Sequence, residues 1–219
     1  MKDCQAVIFD LDGTLLYTLQ GLHECANASL RRFGYPERSM AEIRRFVGNG
    51  ARRLMERAVP DGTPTDDGRF EALMQDYEEE LRLHGEETTV PYPGIPELLD
   101  TLLARGVKLG VVSNKPDSAA APMIRRFFGE RFAAVMGKKA GYLPKPDPRA
   151  VFDALELLGT DAAHTLYAGD SDVDYYTAKN AGLACVLVSW GYRDREELEK
   201  LPALALVDNT EALLKIVGE

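Results

Sequence analysis

Hydrophobic and polar positions divide this chain into three regimes. The first is short. Ala6-Val7-Ile8-Phe9 is an apolar run rich in β-formers, followed by Asp10-Leu11-Asp12-Gly13-Thr14. Four such residues are too few for a helix and fit a strand buried on both faces. In the second regime, from Leu15 to about Thr89, no strand-like run occurs. Apolar residues recur at spacings of three and four over 21–33, 41–57 and 70–83, as in the stripe Phe70, Leu73, Met74, Tyr77 and Leu81, which predicts helices. Gly34-Tyr35-Pro36 and the stretch from Pro60 to Pro64 punctuate it.

From Tyr92 onward strands and helices alternate. The pattern predicts helices near 95–105, 118–128, 148–158, 172–181, 195–201 and from Thr210. It predicts strands at 107–112, 133–136, 165–168, 185–188 and 204–207. Alternation of this kind implies a parallel sheet covered on both faces, a Rossmann-like α/β core. An insertion as long as the second regime is no plain loop. It reads as a small helical domain, residues 17–89, inserted into a discontinuous core of residues 1–16 and 90–219.

Composition narrows the class. A chain of 219 residues with 45% hydrophobic and 28% charged residues has an ordinary globular balance and can bury a sizeable core. A net charge of −9 argues against nucleic acid as a partner, and an anionic ligand would need a metal or placed lysines and arginines. The three cysteines, Cys4, Cys25 and Cys185, form no C-x-x-C pair, which fits a reducing cytoplasm without disulfides or zinc. The amino terminus enters Lys2-Asp3 and a strand directly and reads as having no signal peptide. No apolar run approaches the length of a membrane span. The spacing leaves oligomeric state open between monomer and homodimer.

The chemistry collects at strand ends. Residues i and i+2 of an extended chain point the same way, so Asp10 and Asp12 face one point beyond the first strand, where Gly13 permits a sharp turn. Two like charges so close call for a cation or a shared proton, which suits a metal site and a nucleophile beside a proton carrier. In open parallel sheets ligands bind beyond the carboxyl ends of strands. The other predicted strands end in Ser113-Asn114-Lys115 and in Gly169-Asp170-Ser171-Asp172-Val173-Asp174, while Pro144-Lys145-Pro146 holds a lysine between two prolines. Carboxylates, a hydroxyl and a rigidly held ammonium at several such ends read as one site.

Together these residues resemble the haloacid dehalogenase-like superfamily of phosphohydrolases. Phe9-Asp10-Leu11-Asp12-Gly13-Thr14 is similar to its first motif, Ser113 to its second, Lys145 to its third, and Gly169-Asp170 with Asp174 to its fourth. The insertion after the first motif matches the branch with a helical cap. Val47-Gly48-Asn49-Gly50, Leu54 to Ala58, Pro91-Tyr92-Pro93-Gly94 and Val112 to Pro116 resemble phosphoglycolate phosphatases. Tyr17 departs from the pattern, since relatives often carry an Asp shortly after Gly-Thr-Leu. The resemblance implies a Mg²⁺-dependent phosphatase of a small phosphorylated metabolite, first of all 2-phosphoglycolate. Asp10 is then the nucleophile that forms an aspartyl-phosphate, and Asp12 the acid and base. Ser113, Asn114 and Lys145 hold the phosphate. Asp10, the Asp12 carbonyl and Asp170 bind the metal, and Asp174 supports the metal or Lys145. Gly48, Asn49 and Arg53 reach the substrate from the cap.

Several other readings compete. A sugar-phosphate mutase of the β-phosphoglucomutase kind or a pyrophosphatase uses the same site, and a silent phosphometabolite-binding protein keeps the fold. A dehalogenase needs no acid for its leaving group, so Asp12 counts against it. Neither Asp-rich stretch is a calcium loop: the first has Gly at position 4 and Gly21 at position 12, and the second has Tyr175 where Gly is needed. Cys25-x₅-Arg31 has the spacing of a cysteine phosphatase loop but no intervening glycine, and it reads as helix. His23, His84 and His164 are scattered. Asp172 reads as a helix cap, Trp190 and Tyr192 as packing residues, and Arg44, Arg45, Arg52 and Arg53 as a solvated helix face, with Arg52 or Arg53 reaching a substrate carboxylate as the alternative.

Overall fold

The computed structural model describes residues 3–218. Met1 and Lys2, on which the reading of the amino terminus partly rests, lie outside them. The chain divides into two compact units, Met1–Leu16 with Pro91–Glu219, and Tyr17–Val90. It leaves the first unit after β1 (Ala6–Phe9) through β2 (Leu16–Tyr17) and returns through β3 (Val90–Pro91). These two-residue strands pair with each other. Neither was expected, because two residues carry no periodicity.

The first unit continues with α5 (Ile95–Ala104), β4 (Lys108–Pro116), α6 (Asp117–Phe128), β5 (Ala134–Lys138), α7 (Arg149–Leu158) and β6 (Thr165–Gly169). It ends with α8 (Asp172–Ala181), β7 (Ala184–Val188), α9 (Arg195–Leu198), β8 (Ala205–Val207) and α10 (Thr210–Gly218). The sheet order is β5-β4-β1-β6-β7-β8, all parallel. This is the α/β core that the alternation predicts. Strand β4 runs past its expected end at Val112, with a register shift against β5 between Val112 and Pro116. Helix α9 stops at Leu198, short of Leu201.

The alternation of side chains along β1 sorts the core. Val7 and Phe9 join Leu109, Val111, Leu166 and Ala168 under Leu98, Leu102, Ile124 and Leu213 of the helices on one face. Ala6 and Ile8 join Met136 and Tyr167 under Val151, Leu158 and Ala178 on the other. Burying each such aliphatic side chain stabilises the fold by roughly 1.5–3 kcal/mol. Strand β1 lies at the centre, with Phe9 level with Val111 of β4 and Ala168 of β6. Its next residue, Asp10, therefore emerges between the ends of two neighbouring strands, at the crevice where connections diverge to opposite sides.

The second unit holds α1 (Leu19–Arg32), α2 (Met40–Phe46), α3 (Ala51–Ala58) and α4 (Gly68–His84). The stripe on α4 is buried at Phe70, Leu73, Met74 and Tyr77. Helices α1 and α4 are tied by Ser29 Oγ donating to Asp76 (2.7 Å) and by Arg32 ion pairs to Asp76 and Glu80. The single helix expected over 41–57 is two. Val47 is extended, and Gly48 and Gly50 adopt φ of +117° and +87°, a conformation that ends α2 and restarts the chain as α3. Ser39 and Glu42 form a reciprocal cap at the start of α2, and Asp67 accepts from the N–H of Phe70 at the start of α4.

Candidate active site

The N–H of Asp10 donates to Ala168 O (2.9 Å), extending the β1–β6 ladder by one residue before the chain turns. Gly13 makes that turn at φ +90°, and a Cβ there would lie 2.5 Å from Asp170 Oδ2. The close approach leaves room only for glycine. The turn is closed by the Gly13 N–H donating to Leu16 O (2.9 Å) and by those of Leu15 and Leu16 donating to Leu11 O.

Four of the anticipated side chains meet behind this turn. Lys145 Nζ is 2.8 Å from Asp10 Oδ1 and 2.7 Å from Asp174 Oδ1. It also donates to Val112 O and to the Tyr167 hydroxyl, each at 3.2 Å. An ammonium has three N–H donors, so four acceptors exceed its capacity. Asp10 Oδ1 is the one left with a charge contact but no aligned hydrogen bond. Asp174 is fully buried. Its Oδ2 accepts from the N–H (3.1 Å) and Oγ (2.6 Å) of Ser171, and Tyr167 Oη lies 3.3 Å from its Oδ1. Ser171, not Asp172, caps α8, and Asp174 completes that capping box. Asp172 instead pairs with Arg193 at the surface. Asp170 Oδ2 accepts from the N–H of Tyr192 (2.7 Å) and Oδ1 from Thr14 Oγ1 (3.3 Å).

Ligand oxygens of Asp10, Asp170 and Asp174 lie within 4.8 Å of one another, all buried. Three carboxylates beside one ammonium leave two negative charges in excess. Burial pushes the Asp10 carboxyl up to about 8, against the pull of Lys145 and with the push of Asp174 and Asp170. Burial, then Asp174, pushes Asp170 up to about 7. Burial alone would lower the Lys145 ammonium, but Asp10 and Asp174 outweigh it and hold it well above the usual lysine range. A buried acidic cluster with one unsatisfied oxygen and a double negative excess fits a divalent cation, which would keep these carboxylates ionised.

Asn114 and Asp12 also make contacts within the protein. Asn114 Oδ1 accepts from the N–H of Lys145 (2.7 Å) and its Nδ2 donates to Lys145 O (3.4 Å). The side chain clamps the backbone that carries the ammonium. The Asp12 carboxylate lies outside the acidic cluster and pairs with Lys115 Nζ at 3.1 Å. Ser113 is buried, and its Oγ accepts from the Lys115 N–H (3.2 Å), leaving its hydroxyl proton available. Gly48, Asn49 and Arg53 belong to the second unit. There Asn49 Oδ1 accepts from Arg57 (3.0 Å), and Arg53, largely exposed, pairs with Glu56 (2.7 Å). Arg52 pairs with Glu71.

Sequence reasoning gave no site role to Tyr167 or the Tyr192 backbone, and it met Thr14 and Lys115 only as neighbours within the motifs at Asp10 and Ser113. Trp190 donates from Nε1 to Thr14 O (3.1 Å), so it packs as expected and also steadies the turn. Cys25 and Arg31 both lie within α1, and burial pushes the Cys25 thiol up to about 11, far from a thiolate nucleophile.

A doubly wound sheet with buried acidic side chains and a lysine gathered at its carboxyl edge is an α/β fold with its ligand crevice at the switch of strand order. The chain belongs to the haloacid dehalogenase-like hydrolase family, whose model matches residues 7–188. It is 36% identical over 209 residues to a phosphoglycolate phosphatase of Pseudomonas savastanoi pv. phaseolicola, covering 92% of this chain and 76% of the relative. It is 35% identical over 215 residues to that of Rhodospirillum rubrum, covering 95% and 89%. A crystal structure from Lactobacillus delbrueckii subsp. bulgaricus, provisionally assigned as a phosphoglycolate phosphatase, superposes over the whole of both chains with a TM-score of 0.92 at 28% identity. Among the described residues, no helix is long and apolar enough to cross a membrane.

Proposed function

We propose that this protein is a Mg²⁺-dependent phosphatase that hydrolyses a small phosphomonoester, 2-phosphoglycolate first, through an aspartyl-phosphate on Asp10. The observation that carries the reading is the pairing of Lys145 with Asp10 and Asp174 beside Asp170, all buried. The names of the relatives supply the substrate. Asp10, Asp170 and the Asp12 carbonyl would hold Mg²⁺, which supplies charge neutralisation between a carboxylate and a phosphate dianion. Asp174 supports Lys145 from behind.

Asp10 attacks phosphorus while Asp12 gives a proton to the leaving oxygen, so the P–O ester bond breaks as the acyl-phosphate bond forms. Asp12 then takes a proton from the water that attacks the same phosphorus, releasing inorganic phosphate and restoring Asp10. Lys145 and the Ser113 hydroxyl proton offset charge spread over the phosphoryl oxygens. Asn114 keeps Lys145 in place. Gly48, Asn49 and Arg53 are the candidates in the second unit for selecting among leaving groups. The cysteine usage favours the cytoplasm, and the protein acts as a monomer or homodimer.

A phosphate-release screen with Mg²⁺ over 2-phosphoglycolate, sugar phosphates, nucleotides and pyrophosphate tests the reading. Hydrolysis of 2-phosphoglycolate ahead of the others is expected. Transfer between sugar positions without net release would replace it with the mutase, and a strong preference for pyrophosphate with the pyrophosphatase.

The raised carboxyls add a check on the metal. With metal chelated, the folded state keeps protons on Asp10 and Asp170 that the unfolded chain, with an ordinary value of 3.8, has released. The folded state then binds more protons, so stability falls as pH rises from about 4 to about 8. Mg²⁺ requires those protons off, and its stabilisation grows over the same window. Thermal melts at pH 5 and pH 8, with EDTA and with millimolar Mg²⁺, should show a Mg²⁺ shift of several degrees at pH 8 and a smaller one at pH 5. An equal shift at both would place the cation elsewhere.

A further inference from the structure

Lys115 is a cation that stands apart from the acidic cluster and pairs with Asp12. Its side chain is 14% exposed and its Nζ lies 3.1 Å and 3.4 Å from the two oxygens of Asp12. Among the described residues that carboxylate is the only acceptor the ammonium meets. One carboxylate does not exhaust three N–H donors. The position is held: Lys115 ends the irregular stretch of β4, and its own N–H is tied to Ser113 Oγ. Lys145, by contrast, is saturated by four acceptors and faces the nucleophile.

We infer that Lys115 determines specificity by pairing with an anionic group carried on the leaving alcohol close to its ester oxygen. This rests on the phosphatase reading above. If Asp12 delivers a proton to the ester oxygen, Lys115, in contact with Asp12, stands on the leaving-group side. A carboxylate one carbon removed from that oxygen comes within reach of its free donors. A site with excess negative charge repels such a substrate unless a cation meets the second anion, and Lys115 is the core lysine placed to do so without leaving Asp12. The preferred substrates are therefore small α-phosphooxy carboxylates, ahead of neutral alcohols of the same size.

The test compares kcat/KM for 2-phosphoglycolate and for its carboxamide analogue, which matches it in size and lacks the charge. Lys115→Gln is expected to reduce the ratio of the two by at least about tenfold. A common loss on both substrates, from a looser Asp12, does not enter that ratio. An unchanged ratio overturns the inference and leaves Lys115 as a positioning residue for Asp12. Wild-type turnover of 4-nitrophenyl phosphate in Mg²⁺ is measured alongside. Its absence defeats the phosphatase reading itself, while its presence with no turnover of 2-phosphoglycolate defeats only the assignment of Lys115.

Discussion

Asp10→Asn is expected to abolish phosphate release, by at least about 10⁴-fold in kcat, because an amide nitrogen or oxygen does not form the acyl-phosphate and no neighbouring group replaces it. Asp170 is fixed by the Tyr192 N–H and Thr14, and Asp174 is enclosed by Ser171, Lys145 and Tyr167. Asp12 is two residues away and paired with Lys115. The substitution keeps the shape of the side chain and removes one of three carboxylates that crowd a buried space. Burial pushes Asp10 up to about 8 despite Lys145, so the carboxylate is uncomfortable there without a divalent cation. The variant should then melt at the same temperature as wild type or higher at pH 8 in EDTA, and gain less from Mg²⁺. Lost turnover with a retained or raised melting temperature separates a missing nucleophile from a damaged fold. Residual turnover above about 1% of wild type would assign the attack to another group.

The centre of this fold was readable because its signals are local. Ala6–Phe9 is apolar at every position since β1 is buried on both faces, and Asp10 and Asp170 stand out because each follows such a run. Lys145 was marked by its flanking prolines. What escaped depends on distance along the chain. Lys115 meets Asp12 across 103 positions and Thr14 meets Asp170 across 156, and neither pair leaves a spacing to detect. The N–H of Tyr192 carries no side-chain signature at all. The break between α2 and α3 is a different case. Gly48 and Gly50 were in view as a motif, but the apolar spacing of three and four continues through them at Leu54 and Met55. Periodicity thus outweighed two glycines whose positive φ ends the helix. The contact of Asn114 with Lys145 was not legible because a polar residue beside a strand end has two uses, meeting a ligand or holding another residue. Only coordinates reveal that its amide faces the Lys145 backbone.

Lys145→Met should be the most destabilising substitution in the site. Among the described residues the ammonium is the sole cation between Asp10 and Asp174, at 2.8 Å and 2.7 Å, and it is almost fully buried. A methionine fills similar volume, so the loss is one of charge and hydrogen bonds, not of packing. Removing one partner of a buried pair costs about 3–5 kcal/mol, because it leaves the opposing charge buried and uncompensated. The Tyr167 hydroxyl and Val112 carbonyl each lose a partner as well. The cost depends on pH in a defined direction. Near pH 5 the cluster relieves itself by holding protons on Asp10 and Asp170, which burial already raises to about 8 and about 7. Without Lys145, Asp10 loses the one contact that lowers it and rises further, so keeping it ionised becomes costlier as pH increases. Urea unfolding in EDTA should therefore show a larger difference between wild type and Lys145→Met at pH 8 than at pH 5. With Mg²⁺ present, activity is lost in the variant at both pH values, since the phosphoryl oxygens lose their fixed positive partner. A variant as stable as wild type at pH 8 would mean that the three carboxylates are not charged together in the folded protein, and the case for a divalent cation between them would go with it.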